Sequence, residues 1–214
     1  MLELKNIAWY AVVTLRDTCI GWHLERLRKF YPDIAVFVID NNIGKFDIQP
    51  ICKDYNVTIL KNDSIKSITQ NHNFWGGKLL EQFNALAFSS DDIYIFEGGF
   101  LEKSLDLINN HNKQIVSFGT DRDPVAYLYT KQYYDEVSFN NSLNGKESSL
   151  DDLLNRTKAK YNEFPSIGEY WTDHHDLTNF NSKFWRSRYV GNPHEGQMGK
   201  DDVNRKLRDL GLPY

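Results

Sequence analysis

Residues 8–40 read AWYAVVTLRDTCIGWHLERLRKFYPDIAVFVID. Ala8–Leu15 is a short apolar run of β-branched and aromatic residues, the composition of a buried strand. Asp17 or Thr18 then offers an N-cap, and Ile20, Leu24, Leu27 and Tyr31 recur at helical spacing until Pro32 closes the turn. Ile34–Ile39 is a second buried strand, ending at Asp40-Asn41-Asn42. A strand, a crossover helix and a second apolar strand predict a parallel pair.

The same alternation continues beyond residue 40. Asp47–Tyr55 reads as a short helix and Val57–Leu60 as a third strand. Residues 61–74 are polar and irregular, and Gly76-Gly77 is expected to open a helix from about Lys78 to Phe88. Ile93–Phe96 reads as the fourth strand, breaking at Glu97-Gly98-Gly99. Leu101–Asn109 is a helix, and Gln114–Gly119 and Pro124–Tyr129 are strands. Beyond them the pattern loosens: Tyr133–Lys146 is polar, and a helix capped by Ser149 runs to Tyr161. The loop-rich stretch 163–180 holds Trp171, His174 and His175, and Lys200–Leu210 forms a last helix capped by Gly211. The expected fold is α/β: a mostly parallel central sheet, Rossmann-like, with helices on both faces.

Composition narrows the function. With 214 residues, 41% hydrophobic and 25% charged, the chain can bury a full core without disulfide or structural metal. A net charge of −4 argues against a general nucleic-acid binder. Cys19 and Cys52 are too far apart for a paired metal motif. No apolar run approaches the ~20 residues of a membrane helix, and the first residues lack the pattern of a signal peptide. The expectation is a soluble cytoplasmic protein with no transmembrane segment.

In an open α/β sheet, ligands bind beyond the carboxyl ends of the strands. The residues expected there are Arg16-Asp17, Asp40-Asn41-Asn42, Lys61-Asn62-Asp63 and Glu97-Gly98-Gly99, an acidic, amide-rich rim suited to a base and a ribose. Polar residues also end most strands, so the rim alone does not identify a ligand. No GxGxxG follows the first strand, and no GxxxxGK[ST] or GxSxG occurs, which argues against a dinucleotide fold, P-loop chemistry and a serine hydrolase.

A strand ending VVTLRD, a helix closed by YP and a strand ending VIDNN resemble the GT-A glycosyltransferases, glycosyltransferase family 2 in particular. The likeness continues through NHNFWGGKLLEQFNALAFSSDDIYIFEGG and closes with HEGQMGKDDVNRKLRDLGLPY. It implies that Thr14, Leu15 and Arg16 lie along the nucleotide base, that Asp40 accepts the uracil N3–H, and that Asn42 sits nearby. Gly76, Gly77 and Lys78 would approach the donor phosphates, with backbone N–H groups at a helix start. Trp75 reads as a core side chain. In place of the family's Asp-x-Asp after the fourth strand stands Glu97-Gly98-Gly99, so a Mn2+ or Mg2+ site would rest on Glu97, with His194 as a further ligand and the diphosphate supplying oxygens. Asp91 and Asp92 fall before that strand and read as its solvated start. Asp202, with Asp201 or Glu195 as fallback, would be the base on the acceptor, although carboxylates at a helix start are also simply favoured by its dipole.

The implied activity is transfer of a sugar from a nucleotide-sugar, a UDP-sugar by preference, to the hydroxyl of a glycan, lipid, protein or modified nucleobase, with inversion. Residues 1–120 would bind the donor, and 121–214 the acceptor and the base. The alternatives are a nucleotide-sugar-binding protein that has lost catalysis, and a sugar nucleotidyltransferase.

Overall fold

The computed structural model describes residues 1–13, 17–41, 47–91, 93–95, 97–118, 126–137, 150–167 and 171–173. Strand β1 (Ile7–Val13) is buried along its whole length. Its side chains alternate between two cores, as a strand's period of two requires. Trp9, Ala11 and Val13 meet Ile20, Leu24 and Leu27 of helix α1 (Asp17–Phe30), whereas Ala8, Tyr10 and Val12 enter the opposite face. Strand β2 (Ala35–Asp40) lies parallel to β1, with Ala8 opposite Ala35 and Val13 opposite Asp40. Helix α2 (Gln49–Asp54) leads to β3 (Thr58–Lys61), which is parallel to β2.

The next segment departs from the sequence expectation. Residues 61–74 are not irregular throughout. Ser67 caps helix α3 (Ile68–Asn71): its hydroxyl accepts the Gln70 N–H, while the Gln70 side chain takes the Ser67 N–H. A π turn (His72–Gly76) carries the helix into a last turn, α4 (Gly77–Leu79). The expected helix from Lys78 to Phe88 therefore begins earlier and ends at Leu79. Ala85–Ser90 is strand β4, parallel to β1. The physical reason is visible in ALAFSS: Ala85 and Ala87 face one core and Leu86 and Phe88 the other, a two-residue period that a helix cannot satisfy.

Strand β5 (Ile93–Ile95) is not the fourth strand of the main sheet. It pairs antiparallel with β8 (Trp171–Asp173) in a small second sheet. Between them in sequence come α5 (Phe100–His111), β6 (Ile115–Ser117), β7 (Ala126–Thr130), α6 (Lys131–Val137) and α7 (Leu150–Tyr161). Helix α6 occupies the start of a stretch that the sequence presents as merely polar. The expected last helix, Lys200–Leu210, lies outside the described residues.

The main sheet has the order β3-β2-β1-β4-β7-β6. Its first four strands are parallel, and β7 runs antiparallel to both β4 and β6. Helices α1, α2 and α5 cover one face, and α3, α4, α6 and α7 the other. From β1 the chain steps outward to β2 and β3, then crosses back to β4 on the other side. The switch point of the sheet is thus between β1 and β4, the position beyond whose strand ends open α/β sheets bind ligands.

Candidate functional site

Four parallel strands deliver their carboxyl ends to one edge. In register, Val12 lies between Ile39 and Ser90, and Asp40 lies between Val13 and Lys61. Asp40 is half-buried. With strands ~4.8 Å apart, the backbones at Asp40 and at the end of β4 are separated by roughly 10 Å, one strand between them.

Amide side chains fix this edge. Asn41 is buried, and its side chain donates to the Lys66 carbonyl at 2.8 Å and accepts the Lys66 N–H at 2.8 Å. Asn62 donates to Asn41 Oδ1 and to Asn71 Oδ1, each at 2.7 Å, and accepts the Trp75 indole N–H at 2.8 Å. The backbone joins in: Asn41 N–H donates to Val13 and Asn62 N–H to Asp40. The ends of β1, β2 and β3 and the start of α3 are therefore one hydrogen-bonded unit. Asn41 and Asn62 fall on the rim expected from the sequence, and Asn71 does not. An amide directly after β2 and after β3 marks the first two, whereas Asn71 is the last residue of α3 and follows no strand.

The decisive placement is that of Asp91 and Asp92. Because β4 ends at Ser90, this acidic pair follows the fourth parallel strand instead of preceding one. Asp91 stands at the switch point, on the same edge as Asp40. Asp91 is buried and Asp92 lies outside the described residues. Two adjacent carboxylates are hard oxygen donors of the kind that Mg2+ or Mn2+ takes, but a full shell needs more ligands. Among the described residues, no three His, Cys, Asp or Glu side chains converge as a ready cage. Asp91 could supply one oxygen to a cation whose remaining ligands came from elsewhere.

Glu97, expected to hold this place, is elsewhere. Strand β5 runs along α1 away from the acidic pair, with His23 against Ile93 and Arg26 against Ile95. Gly98 then packs against the Phe30 ring, and Gly99 N–H donates to the Tyr31 hydroxyl at 2.9 Å. Phe30 and Tyr31 end α1 at the amino edge of the sheet, so exposed Glu97 is at the far end from Asp40. Gly99 adopts φ +89° as the N-cap of α5, the conformation that explains its glycine.

Gly76, Gly77 and Lys78 are also displaced from the expected role. They sit in the closing turns of the helix that starts at Ile68, so their N–H groups are not those of a helix start. Their side-chain space explains the glycines: a Cβ on Gly76 would come 3.0 Å from the Tyr129 hydroxyl, and one on Gly77 2.8 Å from that of Tyr134. Tyr129 pairs with Leu86, near the amino end of β4. Lys78 lies over the Phe74 ring, 4.1 Å from its centre, and Trp75 is half-buried. Beneath this helix, buried His72 hydrogen-bonds to Tyr10 through Nδ1 and to Tyr127 through Nε2, and Tyr10 meets Tyr129 at 2.8 Å. Burial holds the His72 pKa down to about 3, so the ring is neutral. Cys52 is a buried thiol pushed up to about 12, first by burial and then by Asp40 and Asp47, and is unreactive.

Thr14, Leu15, Arg16, Asn42, His194, Asp201 and Asp202, with His174, His175 and Glu195, lie outside the described residues.

The architecture is similar to that of several solved structures. A mannosyltransferase of Pyrobaculum calidifontis, solved with GDP-Man and Mn2+, superposes with TM-score 0.57 at 8% identity, covering 96% of this chain and 68% of that one. The fold is GT-A-like. Residues 1–349 of Staphylococcus aureus TarS in complex with UDP give TM-score 0.58 at 12% identity, over 96% of this chain and 70% of that one. A cytidylyltransferase of Leptospira borgpetersenii gives 0.59 at 11% identity, over 96% and 95% of the two chains. No protein-family model matches the sequence, and no curated protein is significantly similar to it. The GT-A-like fold is thus shared with both glycosyltransferases and nucleotidyltransferases. Among the described residues, no helix is long and apolar enough to cross a membrane.

Proposed function

We propose that this chain is a glycosyltransferase that moves a sugar from a nucleotide-sugar to an acceptor hydroxyl. One observation carries the reading: Asp91-Asp92 directly follows β4 at the switch point, on the edge that also holds Asp40. Asp40 accepts an N–H of the base, and a charged acceptor strengthens that bond. The Asn41–Asn62–Asn71 unit keeps the base side of the edge from rearranging. Asp91, at the end of β4, faces the diphosphate end, and Asp92 adds a second carboxylate next to it in sequence. A divalent cation held there would offset charge on the departing nucleoside diphosphate. UDP is the preferred nucleotide, since TarS was solved with it and Asp40 suits the uracil N3–H. Residues 1–120 bind the donor, and 121–214 take the acceptor and supply the base. Asp202 removes the acceptor proton, with Asp201 as its neighbour in reserve, and direct in-line displacement inverts the sugar. His194 joins the cation if it adds any ligand from this half. The protein works in the cytoplasm.

The test is the product. A panel of UDP-, GDP- and CDP-sugars, with and without Mn2+, is screened by thermal shift and then assayed for release of nucleoside diphosphate. Asp202→Asn should lower transfer about 10²–10⁴-fold with donor affinity nearly unchanged. Normal turnover by both Asp202→Asn and Asp201→Asn would leave the pair as helix-capping residues.

A second reading is favoured by the cytidylyltransferase, 95% of whose length the chain matches. A nucleotidyltransferase would release pyrophosphate from a nucleoside triphosphate. The segment after β1, Thr14-Leu15-Arg16-Asp17-Thr18, lacks the glycine-rich, Arg-bearing loop of that class, which is why the glycosyltransferase reading stands first.

A further inference from the structure

Helix α1 places one buried imidazole against the acidic turn from both sides. His23 is fully buried. Its Nε2 faces the Trp9 indole N–H at 3.0 Å and the Ser89 hydroxyl at 3.0 Å. An indole N–H can only donate, so Nε2 is the accepting nitrogen and the ring proton is on Nδ1. Nδ1 therefore donates to the Ile93 carbonyl, 2.9 Å away. Ser89 comes two residues before Asp91, and Ile93 comes directly after Asp92. Three residues along the helix, buried Arg26 donates through Nε to the Ile95 carbonyl at 2.7 Å. Carbonyls two residues apart share one edge of a strand, and α1 holds that edge of β5 at both points.

We propose that His23 and Arg26 are positioning residues that set Asp91 against the diphosphate, an inference that rests on the nucleotide-sugar reading of this edge. Hydrocarbon side chains would have filled this face of α1 as Ile20, Leu24 and Leu27 do. A histidine and an arginine stand there instead, and besides the Trp9 indole they bond Ser89 just before the acidic pair and the Ile93 and Ile95 carbonyls just after it. The turn is short and its own ends lie in different sheets, β4 in the large one and β5 in the small one. Without a tie between those sheets, the carboxylates would follow either one.

The experiment compares wild type, His23→Leu, His23→Asn and Ser89→Ala by calorimetry, using whichever of UDP, GDP or CDP the wild type binds most tightly, in Mn2+ and in chelator. Asn can still donate to Ile93 from the place of Nδ1. His23→Leu should lose at least about tenfold of the affinity gained from Mn2+, with affinity in chelator unchanged, and His23→Asn should restore part of it. Ser89→Ala, which opens little space, should move the same ratio in the same direction by about two- to fivefold, so the inference stays testable if His23→Leu does not fold. Amide exchange of residues 89–95 in the nucleotide-free proteins should rise in the same order. Equal Mn2+ gain in folded His23→Leu and in Ser89→Ala would make the imidazole a packing group and overturn the proposal. Wild type that binds none of the three nucleotides would instead overturn the reading of the edge, and this inference with it.

Discussion

Asp40 and Asp91 end two parallel strands with β1 between them, and their positions separate two jobs. A base acceptor at the end of β2 acts with or without a cation. Asp40→Ala should weaken nucleoside diphosphate binding about 10–100-fold in both Mn2+ and chelator, the loss of one charge-assisted hydrogen bond. Removing charge at the diphosphate end should act only on the metal-dependent part. Asp91→Asn is expected to abolish most of the Mn2+ gain and leave binding in chelator within about twofold. Glu97→Gln makes the control, since Glu97 is exposed at the amino edge beside Phe30 and Tyr31. Calorimetry on the three variants decides the assignment: if Glu97→Gln, and not Asp91→Asn, removes the Mn2+ gain, the acidic pair has been misplaced.

The helix from Ile68 to Leu79 shows how an element reads one way in sequence and another in three dimensions. Two glycines at its end suggest a start, because glycine is common where a chain turns. In the fold they are needed because Tyr129 and Tyr134 come close from β7 and α6. An alanine in place of a mid-helix glycine ordinarily stabilises by about 1 kcal/mol, while forcing an atom into filled space costs about 1–3 kcal/mol. Gly77→Ala should therefore destabilise by about 1 kcal/mol, because the Tyr134 hydroxyl must move and release the Asn73 carbonyl. In a Tyr134→Phe background the same substitution should be neutral or stabilising, as urea unfolding of the four proteins will show. The opposite sign of coupling would mean that the glycines serve something other than packing. The long apolar strands β1 and β2 and the helix between them were legible because burial on both faces leaves no other pattern. Strand β4 was not: ALAFSS is short, and Leu86 also continues a helical stripe from Leu79 and Phe83. That one misread moved Asp91-Asp92 from the end of a strand to the start of the next, and raised Glu97 to a site residue. Asp40 was legible because β2 was.

For the whole molecule, the two faces of the sheet make different pH demands. On one, hydrocarbon dominates the core between the sheet and α1, α2 and α5. On the other, His72 and the hydroxyls of Tyr10, Tyr127 and Tyr129 share a buried network. Burial pushes the His72 pKa down from 6.5 to about 3 and pushes the tyrosines up. For a histidine with a depressed folded pKa, the unfolded chain binds the extra proton below about pH 6.5. The stability is thus fully present above that pH and is lost as the pH falls toward 3. For tyrosines with raised folded pKa values, the unfolded chain loses protons first, so stability falls above about pH 10. The protein should show a plateau between these limits. From pH 7 to pH 5 the His72 contribution alone should fall by about 2 kcal/mol, before most carboxylates begin to titrate. His72→Gln keeps a donor and an acceptor but cannot gain a charge. Its stability at pH 7 should drop, yet the change between pH 7 and pH 5 should be about 2 kcal/mol smaller than in wild type. Urea unfolding at the two pH values measures that difference directly, and an unchanged difference would mean that His72 is already open to protons in the folded protein.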